Sequence, residues 1–81
     1  MAGTRPIKRS ITIAGHETSI SLEPAFWEGL RAEAARAGLP VNAIIARIDN
    51  ERITDSTPTN LASAIRVWLY LQQGETDPQP N

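Results

Sequence analysis

The chain has 81 residues, no cysteine, 41% hydrophobic residues and a formal net charge of −1. One domain of that size has a marginal core, and association with a second chain is a common source of the missing burial. An apolar run of about 18 residues for a membrane span, a long hydrophobic N-terminal stretch for secretion, and thiols for disulfides or thiolate metal sites are all absent, which points to the cytoplasm.

The small net charge hides an asymmetry. Residues 1–16 contain Arg5, Lys8 and Arg9 and no acid, whereas the remaining five arginines stand against all nine acids. A basic arm on an acidic body favours gripping a polyanion from the arm.

Residues 1–6, small and polar with Gly3 and Pro6, are expected to be flexible. From Ile7 to Ile13 the pattern alternates, with Ile7, Arg9, Ile11 and Ile13 on one parity and Lys8, Ser10 and Thr12 on the other, which predicts a strand. A second short strand follows, Thr18–Leu22, but its apolar residues Thr18, Ile20 and Leu22 have the opposite parity. A flat continuous strand would put the two apolar sets on opposite faces, so a bulge or turn at Gly15 is needed. Either a long ribbon kinked at Gly15 or a hairpin satisfies that requirement. An isolated strand keeps unpaired edges, and the simplest partner is the same strand of a second copy, which predicts a symmetric dimer.

A first helix is predicted from Glu23-Pro24 to Ala37, with Phe26, Trp27, Leu30, Ala34 and Ala37 as its apolar stripe and Gly38 as its stop. Gly29 in mid-helix suggests a close backbone crossing. A second helix starts in its first turn at Pro40 and carries Val41, Ile44, Ile45 and Ile48 inward, with Asn42, Arg47, Asp49 and Arg52 outward. Thr54–Thr59 reads as a loop. Asn60 then caps a third helix running to about Gln73, with Leu61, Ala64, Ile65, Trp68 and Leu69 buried. The domain therefore spans residues 7–73, followed by a disordered tail over 74–81.

These residues carry a resemblance. Ile20-Ser21-Leu22, then Phe26, Trp27, Leu30 and Ala34, then Gly38-Leu39-Pro40-Val41-Asn42 with Ile44, Ile45 and Ile48, resemble the ribbon-helix-helix family of the Arc and Met repressors. Lys8 to His16, Thr18 to Pro24, Phe26-Trp27 and Asn60 to Arg66 are similar to a bacterial branch of it with an additional C-terminal helix. The resemblance implies a mainly α fold with a short β-ribbon, two chains intertwined as a homodimer, and a third helix bracing it. It also implies a ribbon in the major groove, with outward side chains Glu17, Ser19 and Ser21, and a phosphate clamp at the amides of Val41 and Asn42. A helix start does attract anions. The family often has Arg, Lys, Gln or Asn where this chain has one acid and two serines. Pro40 stands where a Ser or Thr cap is common.

The residues expected to touch double-stranded DNA are thus Arg5, Lys8, Arg9, His16, Ser19, Ser21, Val41 and Asn42. Those expected at the dimer interface are Ile20, Leu22, Phe26, Trp27, Leu30, Ile44, Ile45, Ile48 and Trp68. His16 lacks partners for metal binding or catalysis, Asp49, Glu51 and Asp55 lack a calcium-loop spacing, and no catalytic set or phosphate loop is present, so neither enzyme activity nor a cofactor is expected. The expected role is a transcriptional regulator or antitoxin-like repressor. The alternative is a dimeric adaptor module that has lost DNA binding and engages a protein partner, which Glu17, the acidic body and an exposed Val67-Tyr70 pair favour.

Overall fold

In a computed structural model, which describes residues 5–55 and 60–76, the alternating N-terminal segments form β1 (Ile7–Ile13) and β2 (His16–Leu22). They pair antiparallel, from Ile7 opposite Leu22 to Ile13 opposite His16. The connecting loop is Ala14-Gly15, whose φ angles of 52° and 82° are both positive. That is the signature of a type I′ turn, whose twist matches the strands on either side. This register resolves the parity change: each odd position of β1 faces an even position of β2, so Ile7, Arg9, Ile11 and Ile13 share a side with Leu22, Ile20, Thr18 and His16.

Of the two arrangements that the parity change allows, the chain takes the hairpin. β2 takes its partner from its own chain, so a second copy is not what closes the strand edge that faces β1. Ile20 and Leu22 point into the helices and are 4% and 0% exposed.

Helix α1 (Pro24–Ala37) begins with proline at its first turn and Glu23 in extended conformation. Phe26 and Trp27 donate their backbone N–H groups to the Glu23 carbonyl at 2.9 and 3.2 Å. It ends at Gly38, φ 70°, where Gly38 N–H donates to Ala35 O and Leu39 N–H to Ala34 O. This paired arrangement is a Schellman stop, and the left-handed residue it needs is glycine here.

Helix α2 (Val41–Asp55) follows directly. Pro40 sits just ahead of it rather than within its first turn, and its carbonyl accepts from Ala43 and Ile44 N–H at 3.0 and 3.3 Å. The helix continues through Thr54 and Asp55, past the expected loop start, and residues 56–59 of that loop lie outside the described residues. Helix α3 (Leu61–Thr76) is capped as its sequence predicts, with Asn60 Oδ1 accepting from Ser63 N–H at 2.8 Å. It runs through Gly74 to Thr76 instead of ending near Gln73, since an interior glycine only weakens a helix by about 1 kcal/mol. The expected flexible residues 1–4 and tail residues 77–81 lie outside the described residues.

The core is Ile20, Leu22, Trp27, Leu30, Ala34, Ile44, Ile45, Ile48 and Ile65, with no polar side chain buried among the described residues. Seven of the residues expected to meet a second chain (Ile20, Leu22, Trp27, Leu30, Ile44, Ile45 and Ile48) are therefore already enclosed by one. Phe26 and Trp68 stay half-buried. Helical spacing marked these side chains as hidden, and the third helix supplies much of the cover.

Candidate nucleic-acid interface

The hairpin presents one face to the helices and the other to solvent. Its solvent face consists of three facing pairs: Lys8 with Ser21, Ser10 with Ser19, and Thr12 with Glu17. All six side chains are exposed. Four hydroxyls can each donate or accept a hydrogen bond, so the face can meet several base edges while discriminating weakly among them. Ser10 and Thr12 are not singled out by the sequence pattern as contact residues. Only the β1–β2 register sets them beside Ser19 and Glu17; the parity they share with Lys8 was the available signal.

Arg9 lies on the other side. It faces Ile20, and its guanidinium stacks over the Trp27 ring at 5.5 Å from the centroid. Trp27 in turn donates its indole N–H to the Ile7 carbonyl at 2.9 Å. Lys8 and Arg9, adjacent in sequence, thus point to opposite faces of the ribbon. His16 is exposed at the start of β2 and shares the parity of Ile20, not of Ser19 and Ser21. Arg5 is exposed just ahead of β1.

The start of α2 stands beside β1. Asn42 Nδ2 donates to the Thr12 carbonyl, a long contact of 3.4 Å. The first helical acceptor is used by Ala43, so the Val41 and Asn42 amides precede the hydrogen-bonded ladder, and the first turn carries no acid. Free N–H groups and the positive end of the helix dipole favour an anion there. Val41 is half-buried and Asn42 exposed. Glu17, opposite Thr12, puts a negative charge at the same end of the ribbon.

Ion pairing sorts the cations. Arg31, Arg36, Arg52 and Arg66 pair with Glu28, Glu33, Asp49 and Glu23. Among the described residues Arg5, Lys8, Arg9 and Arg47 form no ion pair, so most of the uncompensated positive charge is on the arm and β1. Glu23 is held below its ordinary value of 4.5, chiefly by a hydrogen bond from its own backbone amide; burial opposes this, and the hydrogen bond and charge of Arg66 add to the lowering.

A shallow cleft of about 200 Å³ opens between the helices, lined by Glu33, Arg36, Ala37, Ile44, Arg47, Trp68 and Gln72. It shares no residue with the ribbon face. No group of three or more His, Asp or Glu able to hold a metal occurs among the described residues, and no helix is long and apolar enough to cross a membrane.

The chain matches the Ribbon-helix-helix domain family over residues 6–72, and it belongs to that family. The match includes β1 and most of α3 as well as the strand-helix-helix segment. A solved structure of an uncharacterized protein from Bordetella pertussis Tohama I is similar, with a TM-score of 0.74 and 30% identity, covering 98% of this chain and 67% of that one. No curated protein matches.

Proposed function

We propose that this chain is a cytoplasmic DNA-binding regulator, a transcriptional or antitoxin-like repressor working as a homodimer, that lays its ribbon in the major groove. The observation that carries this reading is the all-polar, fully exposed ribbon face with unpaired Lys8 on it and the open amides of Val41 and Asn42 alongside. A two-stranded ribbon is the β element that a groove about 12 Å wide admits. Arg5 and Arg9 add phosphate attraction from the arm, and Ser19 and Ser21 face the bases. His16, on the other parity, can reach only the edge of the groove.

Anisotropy titration with random-sequence duplex tests it. Binding is expected at about 50 mM salt, to fall steeply by about 200 mM, and to weaken with a shallower salt slope in Lys8→Ala/Arg9→Ala. No binding at the lower salt defeats the reading.

One observation favours a second reading, a dimeric protein-interaction module. Helix α3 exposes Val67, Tyr70 and Leu71 at 56%, 74% and 54%. On that reading the protein associates through this stripe and leaves duplex DNA unbound at any salt.

A further inference from the structure

We infer that the cleft between the three helices is a binding site for a small aromatic carboxylate, with the Arg47 guanidinium taking the carboxylate and the Trp68 ring lying against the aromatic face. The cleft shares no residue with the ribbon, so such a ligand can bind whether or not the hairpin meets DNA.

Shape sets the size and kind of ligand. Ile44, 1% exposed, is the apolar floor, and Trp68 is a wall that stays half-buried and so keeps part of its ring open to the cleft. The Trp27 indole N–H is taken by Ile7 O, whereas the Trp68 indole N–H has no partner among the described residues and is available to donate. The volume of about 200 Å³ exceeds the ~150 Å³ that accepts benzene in an engineered cavity and falls short of the ~300 Å³ where drug-sized pockets begin. One ring with a small substituent fits, and a nucleotide does not.

Charge sets the substituent. Of the three charged groups in the cleft, Glu33 and Arg36 pair with each other, which leaves Arg47 uncompensated. The Glu33 side chain is 17% exposed and would repel an anion, but Arg36 offsets it. The carbonyl end of α1 beside Ala37 is likewise quieted, because Gly38 and Leu39 N–H donate to Ala35 O and Ala34 O. A net charge of one guanidinium therefore faces an apolar, aromatic-walled hollow. A guanidinium holds a carboxylate through two parallel hydrogen bonds, and an indole face prefers a flat apolar group to an aliphatic one. A neutral ring leaves Arg47 unanswered, and a cation meets it as a like charge.

Titration of the full chain with benzoate, followed by the Trp68 indole N–H resonance in nitrogen-15 spectra, tests this. The resonance is the indole signal lost in Trp68→Leu. A saturable shift is expected, half-complete at about 1 mM or below, which roughly nine non-hydrogen atoms can supply. Benzyl alcohol, with the ring but no charge, should bind about fivefold more weakly, as an exposed ion pair permits. Arg47→Met keeps the stem of an exposed side chain and should weaken benzoate about fivefold, leaving the two ligands equal. Helical circular dichroism of the variant shows that it is folded.

No shift at about 20 mM benzoate overturns the proposal. So does benzyl alcohol binding as tightly as benzoate, or acetate saturating the same resonance at the same concentration, since either removes one half of the recognition. Benzoate affinity unchanged in folded Arg47→Met overturns it as well. If Arg47→Met lowers the sedimenting mass while benzoate moves nothing, the guanidinium serves a carboxylate of a second copy and the small-molecule site is excluded.

Discussion

Trp27 joins more of the molecule than its place in the core requires. Its ring is 3% exposed, its indole N–H is satisfied by Ile7 O, and its face receives Arg9. Trp27→Phe keeps an aromatic core but removes the donor and part of the stacking surface. It is expected to cost about 1–2 kcal/mol in urea unfolding and to speed amide exchange across β1. Unchanged stability and exchange would mean that β1 is not fastened there. Glu23 and Arg66 supply a pH-dependent link between the start of α1 and α3, with Nε–Oε1 at 3.1 Å and Arg66 also 5.7 Å from the Phe26 centroid. The folded pKa of Glu23 is depressed, so its contribution to stability is complete above the ordinary value of 4.5 and is lost as pH falls through the lower folded value. Arg66→Met should move this acid loss only partway toward higher pH, because the larger cause, the hydrogen bond from the Glu23 amide, remains. A urea midpoint followed from about pH 6 to 2.5 reads that shift, and identical acid limbs in the two proteins would refute the link.

At the scale of elements, the hairpin turn and the α1–α3 crossing each hold a residue that local preference would not choose. Ala14 adopts φ 52° at the first loop position, where asparagine or glycine is favoured. Ala14→Asn should raise stability by about 0.5–1 kcal/mol, measured as a higher thermal midpoint, with no effect expected if the loop takes another form. Gly29 lies inside α1, where alanine would be better by about 1 kcal/mol. Its sequence position suggests a close crossing, and α3 does pass over it, but a Cβ there would meet Leu69 methyls at 3.4 and 3.5 Å, an ordinary contact with a movable side chain. Gly29→Ala is therefore expected to stabilise, by up to about 1 kcal/mol, and a loss of stability would show that the two helices sit closer than this. These elements also mark where the sequence was readable. Helices, caps and the Gly38 stop follow from local chemistry and were legible. The hairpin was visible only as one of two solutions to the parity change, because Ala-Gly is a weak turn signal compared with Asn-Gly. The opposite facing of Lys8 and Arg9 follows from alternation, yet which face meets solvent depends on the tertiary contact with Trp27.

For the molecule as a whole, the open point in the sequence was what buries the apolar stripes. Spacing shows that Ile44, Ile45 and Ile48 are hidden, but it cannot distinguish a third helix from a second chain, and here the chain's own helices and hairpin enclose them. Helix α3 leaves a further apolar surface exposed. Among residues 61–73 of α3 the only charge is Arg66, which Glu23 occupies, and Val67, Tyr70 and Leu71 share the side opposite buried Ile65. A helix apolar on two sides is characteristic of one that is covered on both. A stripe without charge is not repelled by its own copy, so a twofold pairing of α3 helices can form without opposed like charges. Sedimentation at micromolar concentration is expected to show a dimer for the natural chain and a folded monomer for Tyr70→Glu/Leu71→Glu, with helical circular dichroism retained. A natural chain that is monomeric at about 100 μM, where contacts as weak as about 5.5 kcal/mol still register, would exclude this pairing. A dimer that survives both glutamates would place the interface elsewhere, the free edge of β2 being the next surface to examine.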